Sequence, residues 1–261
     1  LNSSFHKILL KKFSFEATAS QIKGFEKIAE FLSYPSNDSL LLIKGYAGTG
    51  KTTLIGHLVQ HLGKIRKKSV LMAPTGRAAK VLSAYAGKKA LTIHKKIYFS
   101  KIDIGVSGVK FSLKENKHTN TVFIVDESSM IGDDSKQSKF FENGSLLHDL
   151  YHYVTNGENC KLIFVGDTAQ LPPVNLGLSP ALDIGELTAQ FNVDVFSITL
   201  EDVVRQQAES GILFNATRIR ELLVGDEMLG FIFKLDGFKD IERIIEGNDF
   251  LELLNLSLIH I

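Results

Sequence analysis

Leu40-Leu-Leu-Ile-Lys-Gly45-Tyr-Ala-Gly48-Thr49-Gly50-Lys51-Thr52-Thr53-Leu-Ile55 is an apolar run that ends in a glycine-rich turn, after which Lys-Thr-Thr opens a helical pattern. The spacing is G-x-x-x-x-G-K-[ST], with a strand before it and a helix after it, the setting in which it reads as a phosphate loop. Successive backbone N–H groups must curl around phosphate oxygens, which favours residues without a Cβ where the chain turns inward. The positive end of the following helix adds to the anion site. Gly45, Gly48, Thr49, Gly50, Lys51, Thr52 and Thr53 are therefore the expected nucleotide cradle. Lys51 supplies a point charge for the β- and γ-phosphates, and the Thr52 hydroxyl an oxygen ligand for Mg²⁺.

The 261 residues suit one large domain, or one domain and part of a second. With 44% hydrophobic and 23% charged residues the composition is that of ordinary globular protein. Cys160 is the single cysteine, so no intrachain disulfide partner exists. No run approaches a membrane span, and Ile8-Leu-Leu10 is too short for a signal peptide. A cytoplasmic location with no membrane partner is the expectation. The net charge of +1 hides an asymmetry: between Asp38 and Asp103 there are thirteen Lys and Arg and no acidic residue. From Glu201 to Glu252 twelve acidic residues face six basic ones. A patchwork of solvated faces would explain this; a basic surface for a polyanion beside the nucleotide site explains it better.

Ahead of the phosphate loop, Thr18-Ala-Ser-Gln21 precedes Ile22, Phe25, Ile28, Ala29 and Leu32 at helical spacing. Thr18 and Gln21 fit a capping box. The same Gln21 amide is also a candidate reader of an adenine edge, and spacing does not separate the two. Beyond the loop, Ser69–Ala73 reads as a strand, followed by Thr75-Gly76-Arg77 at the start of a helix. A cation there opposes the helix dipole unless an anion is near. Thr92-Ile93-His94-Lys-Lys opens another short helix. Ile97–Phe99 and Val109–Leu113 read as two short strands around a glycine turn, a β-hairpin insertion or else a plain surface loop.

Thr121-Val-Phe-Ile-Val125 is a continuous buried-strand run that delivers Asp126-Glu127 at its carboxyl end. Asp126 suits a Mg²⁺ anchor and Glu127 a base for the attacking water, although an aspartate here also suits a helix cap. Lys161–Val165 is a further strand, ending in Gly166-Asp-Thr-Ala-Gln170-Leu-Pro-Pro. A neutral amide such as Gln170 can sense a γ-phosphate and orient a water. Phe196–Leu200 is a fifth strand, before Arg205. Apolar strands that each end in chemically capable residues, with helices between them, describe an open α/β sheet with its ligand at the carboxyl ends.

These motifs together resemble the first RecA-like domain of a superfamily 1 DNA helicase of the RecD/Dda-like 5′→3′ group, over roughly residues 13–207. The resemblance implies a P-loop NTPase fold, a RecA-like, mostly parallel sheet flanked by helices with a small β-hairpin insertion at about 97–121. It also implies ATP and Mg²⁺ as cofactors, with single-stranded DNA and duplex junctions as partners. Under it Gln21 matches the adenine-reading glutamine, and Thr75, Gly76, Arg77, Thr92 and His94 fall in the DNA-contacting motifs. Asp126 and Glu127 form the acidic motif, Gln170 is the γ-phosphate sensor, and Arg205 resembles an arginine that stabilises the transferring phosphoryl group. The hairpin sits where this group carries its strand-separating pin. Ser128 stands where the group often has Ala. The motifs of the second RecA-like domain do not occur, so the expected division is an ATPase domain at 1–204 and the start of a second domain at 205–255. Residues 256–261 resemble a translated sequencing adapter. Such a chain is expected to bind nucleotide but work poorly as a motor. Two other readings stay in play: a different P-loop enzyme such as a small-molecule kinase, and a nucleotide-gated nucleic-acid binding module that does not unwind.

Overall fold

The structure, a computed structural model, describes residues 2–36, 38–99, 111–132, 141–202, 210–224 and 231–241. It divides into two units, Leu1–Asp202 and Val203–Ile261. The first unit runs α1 (Asn2–Lys12), α2 (Ala19–Ser33), β1 (Ser39–Gly45), α3 (Lys51–His61), β2 (Lys68–Ala73) and α4 (Gly76–Ala86). It continues with β3 (Ala90–Thr92), α5 (Ile93–Ile97), β4 (Thr121–Val125), α6 (Leu146–Thr155), β5 (Lys161–Gly166), α7 (Ile184–Phe191) and β6 (Asp194–Leu200). The six strands form one sheet in the order β3-β2-β4-β5-β1-β6, and every pairing is parallel.

The apolar runs of the sequence are buried on both faces because helices cover both faces. Side chains alternate along each strand. Leu41, Ile43, Val122, Ile124, Ile163 and Val165 point to a core shared with Phe5, Leu9, Phe25, Ile28, Leu54 and Leu82. Leu40, Leu42, Phe123, Val125, Leu162 and Phe164 point to the opposite core, with Ile93, Leu147, Leu150, Val154 and Leu187. Truncating a fully buried ring such as Phe123 or Phe164 to Ala in a core of this kind costs about 3–5 kcal/mol. This sheet order sets β4, β5 and β1 side by side, so the loops leaving their carboxyl ends are neighbours.

Three elements were not anticipated. Helix α1 has few apolar residues, yet Phe5 and Leu9 are buried and Leu9 O is bonded by His57 Nε2 at 2.8 Å. Strand β3 is only three residues long and exists by pairing with β2. Helix α7 starts at an Asp183 cap and buries a single residue, Leu187. The helix after the phosphate loop ends two residues before Gly63, and a 3₁₀ turn, Leu62–Ile65, carries on to Arg66, whose φ of 58° stops it. At the hairpin position, Tyr98 and Leu113 form an antiparallel bridge, with Phe99 N to Ser112 O at 3.0 Å and Lys114 N to Ile97 O at 2.7 Å. The foot of the insertion is thus paired, while its tip, 100–110, lies outside the described residues, as does the stretch read as an adapter tail.

In the second unit, helix α8 (Gly211–Val224) is capped by Asp240, which accepts from Ser210 Oγ at 2.6 Å and Gly211 N at 2.8 Å. Among the described residues no helix is long and apolar enough to cross a membrane, and Cys160 is buried with a free thiol.

Candidate active site

The loop between β1 and α3 is shaped by its glycines. Gly48 and Gly50 adopt φ of 83° and 82°, the left-handed region that other residues enter at a cost of about 1–2 kcal/mol. A Cβ on Gly45 would stand 2.7 Å from Thr49 Oγ1 and 2.9 Å from Leu200 O, so the close approach of β6 also demands glycine. Helices α2, α4, α6 and α7 each begin with a side-chain cap, from Thr18, Thr75, Ser145 and Asp183. Helix α3 begins at Gly50 with none. The positive end of its dipole thus faces the loop without a side-chain cap, a setting that suits an anion. Lys51 Nζ lies over the loop, donating to Gly45 O at 2.6 Å and Tyr46 O at 2.9 Å.

Asp126 follows β4 directly and is buried, at 8% exposure. Burial, and secondarily the neighbouring Glu127, push its carboxyl up to about 6, against the Glu127 N–H and Lys51, which act the other way. An oxyanion held at such a cost is a fit for a divalent cation. Thr52 lines the same cleft and adds a hydroxyl oxygen, so the donor set is oxygen-only, as Mg²⁺ requires. Asp126 caps no helix: its Oδ1 accepts from Glu127 N at 3.0 Å. Glu127 itself sits at φ 55°, a strained position for a residue with a side chain. The turn is held from behind by Ser128 Oγ, which donates to Val125 O at 2.9 Å. The departure from Ala at this position thus has a satisfied, buried hydroxyl.

Gln170, exposed on the loop after β5, accepts from Ser129 Oγ at 3.3 Å through its Oε1. Asp167 shapes that loop by accepting from Ala169 N at 2.9 Å. Thr52, Asp126, Glu127 and Gln170 share an open cleft of about 360 Å³ with Thr75 and Arg77. Ala78, Val81 and Met130 complete its lining. Four of the predicted nucleotide-site residues and two of the predicted DNA-contacting residues therefore meet at one place.

The remaining predicted residues divide. Gln21 is 2% exposed, and both ends of its amide are engaged: Oε1 accepts from Thr18 N at 3.1 Å, and Nε2 donates to Thr49 O at 3.2 Å. The capping box is formed, and it leans on the phosphate loop. Thr75 and Thr92 cap α4 and α5, accepting from Ala78 N and Lys95 N at 3.2 Å each. Gly76 and Arg77 are exposed at the start of α4. His94 is half-buried among Tyr98, Phe111 and Phe141, its ring centroid 5.3 Å from that of Phe111, and burial holds its pKa down. Neither Thr92 nor His94 lines the cleft. Arg205 lies outside the described residues.

A family profile described as an AAA domain matches residues 30–176, more than half of the chain. The chain belongs to this family. The matched span contains the phosphate loop, Thr75–Arg77, Thr92, His94, Asp126, Glu127 and Gln170; Gln21 and Arg205 fall outside it. The ATP-dependent RecD2 DNA helicase of Deinococcus radiodurans is 30% identical over 188 residues, covering 72% of this chain and 22% of that protein. The ATP-dependent DNA helicase dda of Enterobacteria phage T4 is 32% identical over 181 residues, 68% of this chain and 37% of that protein. The chain thus spans well under half the length of these relatives. Among solved structures, the Pif1 helicase from Candida albicans superposes with a TM-score of 0.48 at 20% identity, over 80% of this chain and 44% of that one. The resemblance to a superfamily 1B, RecD/Dda-like helicase domain is borne out by this family and these relatives, and the parallel P-loop α/β fold by the sheet.

Within this AAA-family domain, sequence reasoning missed Ser129, the donor to Gln170, and Ser179, whose Oγ lies 2.9 Å from Ser128 O and 2.6 Å from Ile131 O. Ser129 could have been found from its place two residues after Glu127. Ser179 had no local signal; only the fold brings it under the turn.

Proposed function

We propose that this chain is the ATPase core of a DNA helicase or translocase, hydrolysing Mg-ATP in the cleft at the carboxyl ends of β1, β4 and β5. The observation that carries the reading is the shared cleft, in which Thr52, Asp126, Glu127 and Gln170 stand with Thr75 and Arg77. A small-molecule kinase needs neither a sensor such as Gln170 nor the acid-free basic stretch that runs from the phosphate loop past His94. Its relatives' names as ATP-dependent DNA helicases point the same way.

Backbone N–H groups from Gly45 to Thr53, with Lys51, hold the phosphates. Thr52 and Asp126 would hold Mg²⁺, which would neutralise charge on the phosphate oxygens. Glu127 takes the proton of the attacking water, and Gln170 orients that water and senses the γ-phosphate. Gln21 reads the adenine edge through the second lone pair of Oε1 and the second hydrogen of Nε2, keeping its present bonds. Single-stranded DNA lies along Thr75, Gly76, Arg77, Thr92 and His94, and the insertion meets the duplex junction. Arg205, at the start of a second RecA-like domain, completes the charge on the transferring phosphoryl group.

Mg-ATP and oligothymidine titrations of residues 1–261 test this. Each ligand must change the affinity for the other by the same factor, since binding linkage is reciprocal. Independent binding of the two would overturn the motor reading and leave a P-loop NTPase with an unrelated basic face.

A further inference from the structure

A hydrogen-bonded path joins the carboxyl end of β6 to the phosphate loop through the amino end of α2. Asp202 Oδ2 accepts from Ser20 N at 2.8 Å, and Ser20 Oγ lies 3.3 Å from Thr18 Oγ1. Thr18 and Gln21 hold each other: Gln21 N donates to Thr18 Oγ1 at 3.3 Å, and Thr18 N donates to Gln21 Oε1 at 3.1 Å. Gln21 Nε2 then donates to Thr49 O at 3.2 Å. The Ser20 N–H and hydroxyl keep the Asp202 carboxyl below its usual range, so it is a charged acceptor at the positive end of α2. Asp202 is also the last residue of the first unit.

The far end of this path touches the part of the loop least able to hold itself. Thr49 is flanked by Gly48 and Gly50, both at positive φ, and glycine torsions turn at little cost. A trans peptide points its C=O and the following N–H in opposite directions. Holding Thr49 O toward Gln21 therefore aims the Gly50 N–H away from Gln21. Thr49 is fully buried and Gln21 nearly so, so water does not substitute readily for either partner.

We propose that Asp202 is a positioning residue for the phosphate loop: through Ser20, Thr18 and Gln21 it sets the direction of the Thr49–Gly50 peptide, and so couples nucleotide binding to the point where the chain leaves the first unit. The coupling to nucleotide rests on the function proposed above; the positioning does not. The path gives ATP binding a mechanical outlet, since a loop that tightens on phosphate pulls on α2 and on the end of β6. Conversely, a shift of the chain at Asp202 changes how the Gly50 N–H is presented.

The test uses residues 1–261 carrying Asp202→Ala, with amide spectra recorded without nucleotide and a Mg-ATP titration. The Gly50 amide resonance should move, and ATP affinity should fall about fivefold, the lower end of coupling between linked sites. Asp202→Asn keeps an acceptor oxygen and should restore most of both. Thr18→Ala cuts the path at its middle and should give the same Gly50 shift, which keeps the test alive if Asp202→Ala unfolds. Combining Asp202→Ala with Gln21→Ala should add little beyond Gln21→Ala alone, because both break one path. A folded Asp202→Ala protein with an unmoved Gly50 amide and unchanged ATP affinity would overturn the proposal, as would additive losses in the double variant. A wild-type chain that binds no Mg-ATP would instead overturn the nucleotide reading, and the Gly50 amide would still report on the path.

Discussion

Ser129 Oγ donates to Gln170 Oε1 across 3.3 Å, tying the turn after β4 to the loop after β5. The bond fixes which end of the Gln170 amide faces inward and leaves its NH₂ to donate elsewhere. It also links Gln170 to the strained turn that carries Glu127. Asp126, Glu127 and Gln170 are thus joined by backbone and one side-chain bond across two loops.

Glu127 is the proposed base, and its φ of 55° shows that the fold holds an unfavourable backbone to present it. Glu127→Gln keeps size and polarity but removes the basic oxygen. ATP affinity should stay within a few-fold of wild type, while DNA-stimulated phosphate release should fall by about two orders of magnitude or more. The measurement belongs in a length of the protein that shows stimulated turnover. Near-normal turnover in that variant would reject the role.

Asp126 gives a prediction whose sign runs against the usual carboxylate. Its pKa is pushed up to about 6 in the folded state, from 3.8 in the unfolded chain. Between those values the folded state binds more protons, so this group's contribution makes stability fall as pH rises from about 4 to 6. Above pH 6 the folded chain carries the full cost of a buried anion. Asp126→Asn should therefore raise the melting temperature of nucleotide-free protein at pH 8, by an effect on the order of 1–3 kcal/mol. The gain should shrink as pH drops toward 4. Mg-ATP should stabilise the wild type and much less the variant. A gain that does not change with pH would remove burial of charge as its cause.

The phosphate loop, β4, β5 and the acidic pair were legible in sequence because each is a long apolar run ended by glycine or paired carboxylates. The six-stranded order was not, since no local feature says that β3, three residues long, pairs beside β2. Helix α1 escaped for the same reason: Phe5 and Leu9 gain their burial only from contact with the α2 and α3 layer. At the site, residue types named most of the lining, but their functions overlapped. Gln21 fitted both a cap and a base reader, and the structure shows the cap formed while the amide also grips Thr49. His94 falls in a DNA-contacting motif by resemblance, and its ring belongs to an aromatic cluster that spacing does not reveal.

The foot of the insertion depends on a buried acceptor. Asp149, fully buried, accepts from Tyr98 Oη at 2.7 Å, Glu142 N at 3.1 Å, and Asn143 N and Nδ2 at 2.7 and 2.8 Å. Burial and this carboxylate push the Tyr98 hydroxyl far above its ordinary range, so it stays a donor at any working pH. Tyr98→Phe should cost about 1.5–3 kcal/mol, as for a bond to a charged group. Denaturant unfolding measures it, with Mg-ATP affinity unchanged. A loss below about 0.5 kcal/mol would show that the other three donors suffice.

Arg77 tests whether DNA and nucleotide share the cleft. It is exposed in the first turn of α4, where its charge opposes the helix dipole, and it lines the cleft that holds Glu127 and Gln170. If a DNA phosphate offsets that unfavourable placement, binding of oligothymidine should weaken with salt at a log–log slope of roughly −0.7 per phosphate neutralised. Arg77→Ala should lower affinity and flatten the slope by about one such contact. The free protein should not lose stability, because the replaced cation gained nothing from the dipole. Mg-ATP affinity without DNA should stay close to wild type, while the change in ATP affinity caused by DNA should shrink if the strand meets Arg77, which lines the cleft with Thr52 and Asp126. An unchanged slope with unchanged DNA affinity would place the strand elsewhere and separate the basic surface from the cleft.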